Sequence, residues 1–177
     1  MFKLIMTFLL MPGFFITHAP EDTIQWNTTR RLIWDDFQGA PDRSCSNAAL
    51  TSSGIEFKYG FSNETFTYNI TCLFDKKKSW GKLKNDYILA HEQAHFDISE
   101  IHARKLNRLL KSYRFTTPAA AKKEITAIYT GIMKEQTAMQ ELYDEETDHS
   151  RDKEKQVTWL EKVKRELDRT KEYSNYP

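Results

Sequence analysis

The spacing of the apolar residues changes once along this chain of 177 residues, and the change divides the chain into two parts. Up to about Phe74, apolar and polar residues alternate, which is typical of half-buried β-strands. Beyond the charged link at 75–78, apolar residues recur every three or four positions, which is typical of amphipathic helices. Strands followed by helices predict an α+β fold, in which a small antiparallel sheet or hairpin packs on a bundle of three long helices.

The β-leaning part contains four candidate strands, and a turn separates the last two. Gly60 and Ser62–Asn63 supply turn chemistry at 60–64, so a hairpin is expected there. Residues 39–44 are expected to form a loop. The candidate strands are residues 23–26, 31–34, 53–59 and 65–74.

Residues that favour helix starts indicate where the helices of the second part begin. Asn85 or Asp86 is a good N-cap for the first helix, and Pro118 suits the first turn of the second. The expected helices run from 85 or 86 to about 112, from 118 to about 143, and from about 151 to 173.

The first 19 residues have the layout of a secretory signal peptide, with Lys3, an apolar stretch and small residues before the expected cut. The apolar stretch is shorter than the roughly 20 residues that span a bilayer. An uncleaved membrane anchor is the alternative, because Pro20 would follow the cut. We therefore expect one exported domain at 20–177, secreted or periplasmic, with a β-rich part at 20–80 and a helical part at 85–173. Membrane contact is expected only through the N-terminal segment.

The net charge restricts the kinds of binding partner, and the cysteine content bears on whether a disulfide forms. The formal net charge is +1, so a generally basic nucleic-acid binder is excluded and no nucleic-acid partner is expected. Cys45 and Cys72 would lie in the exported part, where one disulfide between them is favoured. Two free thiols are the alternative.

Residues 91–95 read H-E-Q-A-H, the H-E-x-x-H pattern. On a helix, His91 and His95 lie one turn apart on the same side, so both imidazoles can reach one Zn²⁺. Glu92 can then take a proton from a water molecule on the metal. The alternative is a helix with two surface histidines and a glutamate that pairs with a nearby lysine or arginine.

The position of Glu92 on the helix favours the metal-site interpretation. At 100° per residue, Glu92 falls within the apolar stripe that contains Leu89, Phe96 and Leu110. A carboxylate that faces the core is costly unless it has a partner or a chemical role.

A catalytic zinc site needs a third protein ligand. His102 lies on the same side of the helix but about 10.5 Å beyond His95, which is too far for a shared metal. The third ligand is therefore expected at 141–150, where the second helix ends. His149 is the favoured residue, and Glu145 or Glu146 is the alternative.

Three segments carry motifs that occur together in one bacterial family. Residues 31–41 (R-L-I-W-D-D-F-Q-G-A-P) contain a W-x-D-F-x-G-x-P signature, and residues 91–98 (H-E-Q-A-H-F-D-I) contain an H-E-Q-x-H-F-D-I core. Residues 143–150 (Y-D-E-E-T-D-H-S) are similar to Y-D-x-x-T-x-H-G, although Ser150 replaces the usual glycine, and Gln156 and Trp159 match the pair found downstream of that element. The sequence resembles a bacterial domain family of unknown function whose members are described as predicted secreted zinc-dependent proteases.

The resemblance implies an exported zinc metallopeptidase with a zincin-like active-site helix and a peptide or protein substrate. His91, His95 and His149 would hold Zn²⁺, and Glu92 would be the general base. Tyr143 is a candidate oxyanion donor because it lies near His149 in the chain. The alternative is a non-catalytic exported module that binds a metal or another protein.

Overall fold

The computed structural model describes residues 22–62 and 65–177 and shows the expected α+β architecture. The segment interpreted as a signal peptide, 1–19, lies outside the described residues. Within the described residues, five strands precede three long helices. The strands are β1 (Thr23–Gln25), β2 (Ala49–Leu50), β3 (Ser53–Phe61), β4 (Phe66–Asp75) and β5 (Trp80–Gly81), and the helices are α1 (Asp86–Ser112), α2 (Pro118–Glu146) and α3 (Lys153–Arg169).

The strands form two small antiparallel sheets. The larger sheet has the order β1–β4–β3, and the smaller pairs β2 with β5. Phe61 lies opposite Phe66 across β3 and β4, and the N–H of Ser62 donates to the carbonyl oxygen of Thr65 at 2.9 Å. The predicted hairpin is thereby confirmed.

The strand expected at 31–34 is absent, and a 3-10 turn at Trp34–Asp36 follows an extended segment. Asp36 accepts hydrogen bonds from the N–H of Ile33 at 2.8 Å and from both terminal nitrogens of Arg30 at 2.6 Å. The N–H of Leu32 donates to Oε1 of Gln93 on α1 at 2.7 Å. Side chains therefore satisfy the backbone groups that a neighbouring strand would have paired.

The three helices begin at capping side chains. Asn85, Thr117 and Asp152 each accept a hydrogen bond from a backbone N–H in the first turn of α1, α2 and α3 respectively. Two ends differ from the predictions, because α2 continues to Glu146 and α3 stops at Arg169, before a 3-10 turn at Lys171–Tyr173. No helix in the described part of the chain is both long and apolar enough to cross a membrane.

Helix α1 lies at the centre of the domain. One side packs under the sheet, where Phe96 and Leu106 contact a cluster that includes Ile70 and Phe74 of β4. Another side packs against α2 and α3 through Ile98, Ile101, Tyr143 and Trp159. Residues in the middle of α1 are thus held from several directions, which restricts how their side chains can move.

The prediction of a disulfide between Cys45 and Cys72 is wrong, because both cysteines are free thiols. Cys72 is fully buried on the core side of β4, beside Ile70 and Phe74. Cys45 lies in the loop before β2, where its carbonyl oxygen accepts a hydrogen bond from Nζ of Lys82 at 2.6 Å. Burial raises the pKa of the Cys72 thiol well above its ordinary value.

Candidate metal centre

The histidines of the H-E-x-x-H motif lie on α1 and converge on one point. His91 is buried and His95 nearly so. Their Nε2 atoms are 3.2 Å apart. This convergence follows from their four-residue spacing on a continuous helix.

Asp144, in the last turn of α2, completes a group that can hold a metal ion. Its Oδ1 lies 3.1 Å from Nε2 of His91 and 3.1 Å from Nε2 of His95. The three ligand atoms all lie within 4.8 Å of one another. Four ligands placed tetrahedrally at the usual zinc distances would be about 3.3 Å apart, so the observed spacing fits such an ion.

Two glutamines determine which nitrogen of each histidine faces this point. Gln156 of α3 donates from Nε2 to the carbonyl oxygen of Tyr87 at 3.0 Å, so its Oε1, 3.2 Å from Nδ1 of His91, must accept. Gln140 of α2 donates to the carbonyl oxygen of His95 at 2.9 Å, and its Oε1 lies 2.6 Å from Nδ1 of His95. Each Nδ1 therefore carries a proton, and each Nε2 is left to act as a ligand.

The electrostatics of the group favour a bound cation. Burial acts to raise the pKa of Asp144, but its hydrogen bonds to His91 and His95 outweigh burial and hold that pKa well below the ordinary range. Burial acts to lower the pKa of His95, but Asp144 and the charge of Glu92 outweigh it, so the pKa is raised. The centre thus attracts positive charge, which a proton or a metal ion can supply.

Glu92, the residue that directly follows His91, is buried with an unsatisfied oxygen. Its side chain lies beside the group at the floor of a cavity that His91, His95 and Asp144 also line. Its Oε2 has no hydrogen-bond partner among the described residues. A buried carboxylate oxygen without a partner is costly, so the position is ready for a water molecule or another donor.

The predicted third ligand, His149, lies at the edge of this group. Its Nδ1 is 3.6 Å from Oδ1 of Asp144, and its side chain is 43% exposed. Asp148, His149 and Ser150 all have positive φ angles, of 47°, 50° and 73°. This left-handed turn between α2 and α3 turns His149 towards the end of α2. Of the alternative ligands, Glu145 is exposed and Glu146 accepts a hydrogen bond from Trp159 at 2.7 Å.

Asp144 is the member of the group that sequence reasoning missed, although it falls within the expected stretch 141–150. A signal exists in the spacing of α2, where Gln136, Gln140 and Asp144 recur every four residues. Such polar residues form one stripe on a helix. In the structure this stripe faces α1, since Gln136 donates to Oγ of Ser99 at 2.8 Å and Gln140 contacts His95.

Tyr143, the candidate oxyanion donor, is fully buried behind the histidines. Its ring stacks on His91 with 4.5 Å between ring centres, and its hydroxyl lies 3.5 Å from the carbonyl oxygen of His91. Burial raises the pKa of this hydroxyl far above its ordinary value. The geometry supports a packing role that orients His91, because the hydroxyl is directed to the helix backbone.

The cavity above the group has a volume of about 310 Å³. Its floor is α1, one wall is the chain at 47–51 around β2, and the other wall is α2 between Gln136 and Asp144.

His102, which spacing excludes from the group, lies buried further along α1, and its Nδ1 is 2.8 Å from the carbonyl oxygen of Ile98.

Comparison with known families identifies a family model that covers most of the chain. The model of a bacterial protein family of unknown function, DUF922, matches residues 27–150, which include both helix segments that form the group. No curated protein and no solved structure matches the chain.

Proposed function

Starting from the fact that this chain belongs to the bacterial family DUF922, we propose that it is a metal-dependent hydrolase that cleaves peptide bonds and uses Zn²⁺. His91, His95 and Asp144 would hold the ion, and Glu92 would act as general base. We further propose that the protein works outside the cytoplasm, in the periplasm or the medium, on a peptide or protein substrate.

One observation carries the proposal: the three candidate metal ligands and a carboxylate oxygen without a hydrogen-bond partner line the same cavity. Oriented Nε2 atoms and a carboxylate meet at spacings that suit zinc. Glu92 lies next to them with Oε2 unpaired among the described residues. A structural metal site does not require a further buried carboxylate beside its ligands, whereas a hydrolytic site requires a group that accepts a proton from the attacking water.

The chain's own residues would have separate roles in the reaction. The ion, when bound, would supply Lewis-acid activation of a water molecule and of the peptide carbonyl. Glu92 would accept the proton that the attacking water loses and return it to the leaving amine as the C–N bond breaks. Gln140 and Gln156 would keep the imidazoles in the orientation that leaves Nε2 free.

His149 remains a proposed alternative third ligand, which would take the place of Asp144 in a site that keeps an open position for water. Its Nδ1 lies at the edge of the group, 3.6 Å from Oδ1 of Asp144. His91, His95, Asp144 and His149 are thus four possible donors.

The presence of four possible donors also favours a second candidate function. A zinc ion with four protein ligands has no open position and is usually structural. If His149 and Asp144 bind together, the chain would be an exported metal-binding module rather than an enzyme.

The experiment that separates the two functions compares the wild type with Glu92→Gln. We expect both proteins to retain one equivalent of zinc in metal analysis, and only the wild type to cleave a denatured protein substrate. Glu141→Gln is the matched control, because Glu141 lines the same cavity but lies on α2 at an exposed position.

Absence of zinc from the wild type loaded with excess metal would exclude the proposed site. Zinc bound stoichiometrically, without cleavage by wild type or control, would favour the metal-binding module.

A further inference from the structure

A second cavity, of about 820 Å³, opens directly beside the candidate metal centre. Ala48, His149 and Ser150 line both cavities, so the two spaces meet at the left-handed turn. Cavities of several hundred Å³ are typical of sites for small ligands and substrate segments.

The linings of the two cavities differ in chemistry. The first is lined mainly by polar groups, including His91, Glu92 and Asp144. The second has an apolar wall formed by Ala48, Leu83 and Ile88, next to the ring of Tyr87. Leu83 is 58% exposed, so a large apolar side chain stands at the rim without cover from the described residues.

Positively charged side chains form part of the lining of the second cavity. Arg151 and Lys153 are both part of its lining, and the described lining includes no carboxylate. Arg151 is paired with Asp148 at 3.1 Å, whereas Nζ of Lys153 lies 5.8 Å from the centre of the Tyr87 ring. The nearby carboxylate of Asp152 caps α3 by accepting from the N–H of Lys155 at 3.0 Å.

We propose that the second cavity is a substrate subsite that binds a bulky apolar side chain together with an acidic side chain next to it in a peptide. The apolar side chain would contact Leu83 and Ile88, and the acidic one would approach Lys153. The proposal rests on the proposed peptidase function, because the shared residues place this subsite next to the bond to be cleaved. Leu83 and Lys153 would be specificity residues that take no part in the chemistry.

The test measures binding, so it does not depend on turnover. Zinc-loaded full-length Glu92→Gln protein is titrated into labelled peptides that share one alanine-rich frame and carry Leu-Glu, Ser-Glu or Leu-Lys at adjacent positions. Fluorescence anisotropy gives each Kd. We expect the Leu-Glu peptide to bind about tenfold or more tightly than Ser-Glu, because a leucine side chain leaves water.

Two variants assign that preference to the cavity. Leu83→Ser should remove most of the preference for Leu-Glu over Ser-Glu, and Lys153→Glu should remove the preference for Leu-Glu over Leu-Lys. Leu109→Ser is the matched control, since Leu109 is also exposed but lies near the end of α1, away from both cavities.

Equal affinity for the three peptides would overturn the subsite, as would a preference that survives Leu83→Ser. Cleavage of the same peptides by the wild type is measured separately. Selective binding without any cleavage would support the subsite and contradict the peptidase function, whereas cleavage without selectivity would do the reverse.

Discussion

The neutral amide of a glutamine orients each of the two histidines His91 and His95. Gln156 and Gln140 accept from the Nδ1 atoms of His91 and His95, and the backbone carbonyls that they contact prevent the amides from turning over. A carboxylate in this position would make the imidazole more basic than a neutral amide does. Uncharged partners therefore fix the orientation of both candidate ligands.

Changing Gln156 tests this effect directly. Gln156→Leu should lower zinc affinity by roughly 10–100-fold, because the imidazole of His91 loses the acceptor that orients it. Gln156→Glu should lower the affinity less than Gln156→Leu does, because a carboxylate can still accept from Nδ1 of His91 but cannot donate to the carbonyl oxygen of Tyr87. A competition titration with a chromophoric chelator measures both, with Gln136→Leu as a control that removes a buried amide bonded to Ser99. Unchanged affinity in Gln156→Leu would show that packing alone orients His91.

The ligand set can be resolved in the same titration. We expect Asp144→Asn to weaken zinc binding more than the roughly 10–100-fold that is typical for loss of a residue that only supports a ligand, because Oδ1 of Asp144 lies 3.1 Å from both Nε2 atoms. His149→Ala should also weaken binding more than His102→Ala, whose side chain is bonded to Ile98 away from the group. Equal effects of the two histidine changes would remove His149 from the ligand set.

For the helices and strands, features that depend on the local sequence could be predicted, whereas features that depend on packing between elements could not. α1 begins at the expected cap, and its two histidines converge because four-residue spacing is a property of any helix. Asp144 and the two glutamines belong to the site only because α2 and α3 pack against α1. The strand expected at 31–34 failed for the same reason, since Asp36 and Gln93 bind its backbone. α3 also ends before its predicted limit, and Arg104 of α1 binds the carbonyl oxygen of Leu167 near that end.

The turn between α2 and α3 has a cost that one substitution can relieve. Ser150 has a φ of 73°, in the left-handed region that glycine adopts without a steric penalty. We expect Ser150→Gly to raise the free energy of unfolding by about 1 kcal/mol, measured by urea denaturation of the metal-free protein. Ser46→Gly, in the loop before β2, is a control in which the added backbone freedom brings no such gain. A destabilised Ser150→Gly protein would mean that the serine side chain itself stabilises the turn.

For the whole molecule, buried titratable groups on α1 link stability to pH. His102 is almost fully buried, and burial is the main reason why its pKa is lowered, with a smaller contribution from Lys105. The unfolded chain therefore takes up a proton at a higher pH than the folded protein does. The stability contributed by neutral His102 is present above about pH 6.5 and is lost as the pH falls through the folded-state pKa.

His102→Gln should remove that dependence while the amide keeps a donor for the carbonyl oxygen of Ile98. We expect the variant to lose less unfolding free energy than the wild type between neutral and mildly acidic pH. The measurement is urea denaturation at a series of pH values on metal-free protein. Parallel curves for the two proteins would show that other groups set the acid sensitivity.

The candidate ligands join two distant parts of the chain, since His91 and Asp144 are 53 residues apart. An ion bound there would link the end of α2 to the N-terminal half of α1, and the unfolded chain would have no comparable binding site. By mass action, resistance to unfolding then rises with the logarithm of the free ion concentration. The melting temperature of this protein would thus serve as a gauge of the zinc in its surroundings.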